Sequence, residues 1–414
     1  MTLSEELTWR GFINQTTLTD LSLLDGNQWT FYHGFDASAD SQQIGNLAAM
    51  MLDRTFLRHG HKAVLLAGGA TSLIGDPGGK DSERPMQGED VIAHNVECAE
   101  TQLRQIFTGY NFTMVNNLDW FKDMNVLTFL RDVGKHFSMT PLVQRDYIAK
   151  RMGETGSGIS YSEFSYTILQ GYDFLHLHKN FGVNLQLAGS DQWGNGLSGV
   201  DLVHRVTGDE VQVLTLPLII NQSTGKKFGK SEGGAVWLSA EKTTPTQFYQ
   251  FWINLDDGGL EGYLKVFTEY DKDQIEEILA ENVKQPGKRY AQKRLASAVT
   301  ELVHGQQPRE LSETVTDYLT GSKNVSEATD QVLTEIRKEI ASVKSSSEGS
   351  IIETMVLAKL AQSNTEARRF LSENAVTINS QKISRENFQA SDFVNGRLLL
   401  RRGKAFKDSA LVEL

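Results

Sequence analysis

The chain has one cysteine, Cys98, in 414 residues, so neither an internal disulfide nor a thiolate metal cluster is expected, and a reducing compartment such as the cytoplasm suits it. It has no apolar run approaching the roughly 18 residues that a membrane-crossing helix needs. Its first segment, Met1–Phe12, lacks a basic stretch followed by an apolar one, so no signal peptide is expected. Basic residues are in deficit, 41 Lys+Arg against 52 Asp+Glu, and a net charge of −11 argues against nucleic acid as a partner. Hydrophobic residues at 39% and charged residues at 22% exclude a disordered chain. At about 150 residues per domain the length suggests two or three domains.

The charge is unevenly spread. From Ile351 onward there are 10 Lys+Arg and 7 Asp+Glu, a balance of +3, and the remaining 31 against 45 leave −14. Such asymmetry hints at a module that faces nucleic acid, although a mildly basic tail also arises by chance. The first half alternates strand and helix signals. Apolar runs at Trp29–Phe35, Lys62–Ala67, Phe112–Val115, Asn184–Ala188 and Val211–Ile220 read as strands, and helices are expected near 46–57, 90–107 and 192–206. The run at 62–67 leads into an expected glycine-rich turn. Continuous apolar runs suit a mainly parallel sheet covered on both faces. From about 240 to 338 the pattern is almost wholly helical, including 271–281 and 290–303. Residues 344–350 read as a low-complexity linker. A compact helix-then-strand module follows, with short strands near 376–378, 397–400 and 410–412.

In an open α/β sheet, ligands bind at the carboxyl ends of the strands, where phosphate meets a helix N-terminus. Five segments could serve. Tyr32–Asp40 leads through Gln43–Asn46 into a helix: Gly34 and Gly45 let a ligand approach the backbone, Ser38 offers a hydroxyl, and Gln43 and Asn46 offer amide donors. An ordinary strand–turn–helix connection would look similar. The stretch from Gly68 to Lys80, with Arg84 beyond it, could form an anion pocket or a structural turn. It is not a Walker A loop, because Lys80 is followed by Asp81. Lys226–Ser231 is either a solvated basic turn or a loop that neutralises polyphosphate on closing. Ser160 and Glu163 form a capping box, after which Tyr166, Gln170 and Asp173 fall on one helix face. That stripe faces solvent or walls a polar ligand site. Last, the strand before Gly189 opens into a helix near Asp191, where a carboxylate can accept from ribose hydroxyls or simply cap.

Taken in order, Tyr32–Asp36, Gln43–Asn46, Gly68–Thr71, Gly75–Pro77, Phe129–Phe137, Phe164–Tyr166, Leu169–Phe174, Gly189–Asn195, Lys227–Ser231 and Phe248–Asn254 resemble the bacterial tyrosyl-tRNA synthetase family of class I aminoacyl-tRNA synthetases over nearly the whole chain. The Arg401–Lys404 stretch stands where that family carries an S4-type RNA-binding module. The resemblance implies an α/β fold. A Rossmann-like parallel-sheet catalytic domain with a dimer-interface insertion would occupy 1–220, and a KMSKS-type loop linker 221–239. A helical anticodon-side domain would follow at 240–338, a flexible linker at 339–350, and an S4-like α+β RNA-binding domain at 351–414.

The same resemblance implies a tyrosine–tRNA ligase that forms tyrosyl-adenylate from ATP and passes tyrosine to tRNA(Tyr). Tyr32 and Asp173 would meet the substrate phenol, and Asp76, Tyr166 and Gln170 its ammonium group, with Gln186 in the same pocket. Gln43–Asn46 would be the HIGH motif on the ATP phosphates, with Ser38 beside it. Gly34, Asp36, Gly45, Gly189, Asp191, Gln192 and Lys230 would contact ATP, with Asp191 and Gln192 at the ribose and the reacting carboxylate. Lys227, Lys230 and Ser231 would form the KMSKS-type loop, while Lys80 and Arg84 would meet pyrophosphate from the other side. ATP would be a substrate, with Mg2+ carried by the nucleotide and no resident metal. A homodimer through 129–137 and Tyr161 is implied, and neither DNA nor membrane is an expected partner.

The chain departs from the family pattern at Gln43, where a histidine is usual. A glutamine amide can donate to phosphate but cannot become a cation, which could cost about 1–2 kcal/mol, roughly tenfold in rate. Ala37 stands for proline, Ser38 for threonine and Ala188 for glycine, the last adding a methyl group near the amino-acid pocket. These departures leave an alternative: a catalytically weakened paralogue acting as an RNA-binding or regulatory protein. Tryptophan as substrate fits less well, because the Tyr32/Asp173 pair suits a phenol.

Overall fold

The structure, a computed structural model, describes all residues except 79–86, 154–155, 223–224, 226–227, 229, 232–233 and 404–405, together with the side chains of 141, 146–147, 230–231 and 406. Its contacts divide the chain into two units. Unit 1 holds Met1–Thr243 and Leu255–Leu295, and unit 2 holds Thr244–Asn254 and Ala296–Leu414. The stretch expected as one helical domain, 240–338, is therefore shared between them.

Unit 1 is built on a six-stranded sheet of β1 (Gln15–Thr16), β2 (Thr30–Asp36), β3 (Lys62–Gly68), β4 (Phe112–Asn116), β5 (Leu185–Gly189) and β6 (Gln212–Leu216), in the order β1-β6-β5-β2-β3-β4. All neighbours are parallel except the short edge strand β1, which runs antiparallel to β6. Every residue of β3 after Lys62 is buried, as the unbroken apolar run required of a strand covered on both faces. Helices Ile44–Arg58, Glu89–Ile106, Tyr161–Phe181 and Trp193–Thr207 lie between the strands in sequence. Strand order reverses between β2 and β5, so a crevice opens at the carboxyl ends of these two strands.

Two local expectations are corrected in this unit. Gly69–Ile74, expected within a turn, is a short helix, and the run expected to continue to Ile220 leaves the sheet at Leu216. Pro217 explains the second, since it has no N–H to give to a ladder. Beyond it the chain forms a small hairpin, β7 (Lys230–Ser231) with β8 (Gly234–Ala235). Immediately after the hairpin, Val236 O accepts from Ile44 N–H and Leu238 N–H donates to Gln42 O. The chain at Val236–Leu238 is thereby laid against the start of helix Ile44–Arg58.

Unit 2 contains a five-stranded sheet of β9 (Ala341–Lys344), β10 (Val376–Ile378), β11 (Gln381–Lys382), β12 (Arg397–Arg402) and β13 (Ser409–Glu413), in the order β11-β10-β12-β13-β9. The period of two along β12 and β13 serves two cores. Leu398, Leu400, Ala410 and Val412 pack with Ile351, Met355 and Leu371, while Leu399 and Leu411 pack with Val315, Leu319, Leu333 and Ile336. The flexible linker expected over 339–350 is corrected accordingly: Ala341–Lys344 is a strand, paired in parallel with β13 from Ala341 opposite Ala410 to Lys344 opposite Glu413. Among the described residues no helix is long and apolar enough to cross a membrane.

Candidate active site

A cavity of about 420 Å3 lies at the crevice between β2 and β5. It gathers residues from every strand-end segment singled out in the sequence: Tyr32, Gly34 and Asp36 from β2; Gln43, Gly45 and Asn46 from the helix entrance; Asp76; Tyr166, Gln170 and Asp173; and Gln186, Gly189, Asp191 and Gln192. The polar stripe of helix Tyr161–Phe181 therefore faces the cavity and not solvent, and Asp173 is 1% exposed. The helix starts where expected, Ser160 Oγ accepting from Glu163 N–H at 3.2 Å. Ala188 also lines the cavity. Ser38 does not: it is exposed, and its carbonyl accepts from Gln87 Nε2 at 3.1 Å. Lys80, Arg84 and Lys227 lie outside the described residues, as do the side chains of Lys230 and Ser231.

One end of the cavity is apolar-walled with isolated polar groups. Tyr32 packs its ring edge-on against Phe174 at 5.0 Å, and its hydroxyl is buried with no hydrogen-bond partner. Gln170 Oε1 and Gln186 Oε1 are likewise buried and unpartnered. Three such orphans converging on one cavity are costly unless a ligand completes them. Asp173 is held by two donors the sequence reading missed, Asn117 Nδ2 at 3.1 Å from Oδ2 and Trp120 Nε1 at 2.9 Å from Oδ1. Burial nevertheless dominates and pushes its carboxyl from 3.8 up to about 7, against the lowering effect of those two bonds. Burial, helped by the Asp173 charge, holds the Tyr32 phenol well above its ordinary 10. Gly196 lets its helix pack close against β5 and β6: a Cβ there would stand 2.9 Å from Val213 Cγ1 and 3.1 Å from Gln186 Oε1.

The other end is a helix entrance. Asn46 Oδ1 accepts from Gln43 N–H at 3.1 Å, which leaves the Asn46 Nδ2 hydrogens as donors at the first turn of helix Ile44–Arg58. Phe228, between two of the lysines, is 3% exposed, stacks on Phe267 at 5.3 Å and lies tilted against Tyr263 at 4.7 Å. Its backbone N–H donates to Ile219 O at 2.9 Å. On the cavity wall, His33 Nδ1 sits 2.9 Å and 3.0 Å from the two oxygens of Asp53, a wholly buried carboxyl that burial raises and His33 lowers. Asp76 joins the two ends. Burial raises its carboxyl, while Gln192 Nε2 at 2.7 Å and Gly78 N–H at 2.8 Å act to lower it. The arrangement offers an anion-binding helix end, an acidic cation site and a buried hydroxyl-recognising slot in one cleft.

Residues 25–320 match the model of the class I tRNA synthetases of the tryptophan and tyrosine group, and the chain belongs to that family. Residues 332–407 match the tyrosine–tRNA ligase SYY-like C-terminal domain. Within the family, the chain is 43% identical to a tyrosine–tRNA ligase of Pediococcus pentosaceus over 414 residues, covering 98% of each. It is 40% identical to tyrosine–tRNA ligase 2 of Bacillus cereus over 425 aligned positions, covering both chains fully. A C-terminally truncated mitochondrial tyrosyl-tRNA synthetase of Aspergillus nidulans superposes with a TM-score of 0.69 at 28% identity, over 77% of this chain and 94% of that one.

Proposed function

We propose that the protein is a tyrosine–tRNA ligase, joining L-tyrosine to ATP as tyrosyl-adenylate and then passing tyrosine to the 3′ end of tRNA(Tyr). The observation that carries this reading is the buried slot of Tyr32, Gln170, Gln186 and Asp173, with three unpartnered polar atoms beside a carboxyl. A phenol donates to Asp173 and accepts from Tyr32. Phenylalanine would leave the Tyr32 hydroxyl unpaired and add nothing to the two donors already on Asp173, and tryptophan lacks an oxygen at that place. Asp76, with Tyr166 and Gln170, then takes the ammonium group. The substrate carboxylate is left facing the helix entrance, where Asn46, Gln43 and the first N–H groups receive phosphate oxygens.

The chemistry asks for little else. A tyrosine carboxylate oxygen bonds to the α-phosphorus of ATP while the bond to the β-phosphate oxygen breaks, and pyrophosphate departs. No protein nucleophile is involved, so positioning and stabilisation of phosphate charge account for the rate. Lys80, Arg84, Lys227, Lys230 and Ser231 are assigned to the departing pyrophosphate, and Gly34, Asp36, Gly45, Gly189, Asp191 and Gln192 to the nucleotide. Mg2+ arrives with ATP. In the second step a ribose hydroxyl of the tRNA attacks the adenylate carbonyl and AMP leaves.

The basic tail from 351 onward supports tRNA as the partner, and the same reading assigns the protein to the cytoplasm. A homodimer is supported by the apolar surface of the insertion, where Val126 is 65%, Leu127 72% and Tyr161 68% exposed. Phe129 and Phe137 are only partly exposed and pack inward, so the contact is assigned to their neighbours. Equilibrium dialysis with labelled amino acids tests the slot. Tyrosine is retained and phenylalanine binds roughly a hundredfold or more weakly; comparable retention of both refutes the assignment.

A further inference from the structure

The geometry points to Arg145 as a positioning residue that sets the donor direction of a hydrogen-bond chain ending at Asp76; the inference rests on the tyrosine reading of that site. Arg145 lies outside the cavity, at the start of helix Asp146–Met152 in the insertion between β4 and β5. Its guanidinium makes four bonds. Nη1 donates to Thr167 Oγ1 and to Asn195 Oδ1, each at 3.1 Å, and Nη2 donates to Gly194 O at 2.7 Å and Ser198 Oγ at 2.6 Å. Thr167 Oγ1, having accepted from Arg145, donates to the same Asn195 Oδ1 at 2.8 Å. Asn195 Nδ2 then donates to Gln192 Oε1 at 3.1 Å, and Gln192 Nε2 donates to Asp76 Oδ2 at 2.7 Å and, more weakly, to Asp191 Oδ2 at 3.3 Å.

The direction of this chain is not arbitrary. Asn195 and Gln192 each present an oxygen at one end of the carboxamide and an NH2 at the other, and either could turn over. A guanidinium has no acceptor, so only an oxygen of Asn195 can face Arg145. That places the Asn195 NH2 toward Gln192, which must answer with its oxygen. The Gln192 NH2 is thereby directed to Asp76. Asn195 is 6% exposed, so no alternative solvation competes for it. Reversed, the chain would set a carbonyl oxygen against the Asp76 carboxylate. Gln192 is also one of the two donors that oppose the effect of burial on Asp76, so the chain helps keep that carboxyl an anion fit for an ammonium group.

The test uses Asn195→Asp and Arg145→Lys in the full-length protein. Asn195→Asp keeps shape, adds an ion pair to Arg145, and replaces the NH2 facing Gln192 with an acceptor, which reverses the chain. Its thermal midpoint should be equal to wild type or higher. In tyrosine-dependent exchange of pyrophosphate into ATP, its KM for tyrosine should rise about tenfold, the loss expected of a hydrogen bond to a charged group. Arg145→Lys, still a pure donor, should retain most tyrosine affinity, whereas Arg145→Met should behave like Asn195→Asp. If Arg145 merely braces the insertion, Asn195→Asp will leave KM for tyrosine unchanged, and the inference fails. Absence of exchange in the wild-type protein would instead refute the tyrosine reading itself.

Discussion

Replacing Asp173 by asparagine should alter the pH dependence of stability in a way that can be worked out beforehand. The carboxyl is moved from 3.8 to about 7 on folding, a gap equivalent to about 4 kcal/mol. A carboxyl raised in the folded state contributes its stability in full below pH 3.8, and that contribution is lost as pH rises through about 7. Between about pH 5 and about pH 8 the wild-type chain should therefore lose about 2–3 kcal/mol that Asp173→Asn does not lose. The variant also sets an amide NH2 against Asn117 or Trp120, a cost of its own that is independent of pH. The comparison accordingly uses slopes and not absolute stabilities. Urea unfolding of both proteins across this range, followed by tryptophan fluorescence, supplies them. Tyrosine binding reports the same group: if the phenol donates to ionised Asp173, affinity should fall about tenfold from pH 8 to pH 6. Parallel stability profiles, with tyrosine affinity indifferent to pH, would refute the placement of an ionisable Asp173 in a dry slot.

Gln43→His should raise the rate of pyrophosphate exchange up to about tenfold by restoring a charge-assisted donor at the helix entrance, and steady-state kinetics showing no gain would mean that the amide already suffices. His304, whose Nε2 is buried and unpartnered, is lowered by burial from 6.5 to about 4. The stability this gives unit 2 is whole above pH 6.5 and is lost as pH falls through about 4, at most about 3 kcal/mol, so His304→Phe should flatten the acid limb of a urea-unfolding profile. A chain ending at Ile340, before β9, should keep tyrosine-dependent exchange and lose charging of tRNA in an acylation assay. Retention of tRNA charging by the truncated chain would contradict the assignment of RNA binding to the tail.

The parallel sheet was legible because strands buried on both faces must be apolar along their length, as β3 is. The cavity was largely legible too, because its residues sit at strand ends and on one helix face, positions that local spacing reveals. What was hidden depends on tertiary partners. Asp53 stands out as a charge inside the buried run Met50–Leu57, but nothing in the sequence pairs it with His33, 20 positions earlier. Asn117, Trp120 and Arg145 lie in the insertion between β4 and β5, where only 129–137 and Tyr161 stood out and nothing local ties these three to the cavity. The misread linker has the same cause. Its serines lack core-forming side chains, and residues 341–344 become a strand only because β13 offers an edge more than 60 residues later. Net charge is a poor guide to the cleft, since a −14 body still sets the Gln43 and Asn46 amides at a helix entrance on the cavity.

Activation of tyrosine in this cleft is measured by exchange of labelled pyrophosphate into ATP with each amino acid supplied in turn. The expected result is exchange that requires tyrosine and is not supported by phenylalanine or tryptophan. Exchange with another amino acid, or none with tyrosine from a correctly folded preparation, would contradict the account.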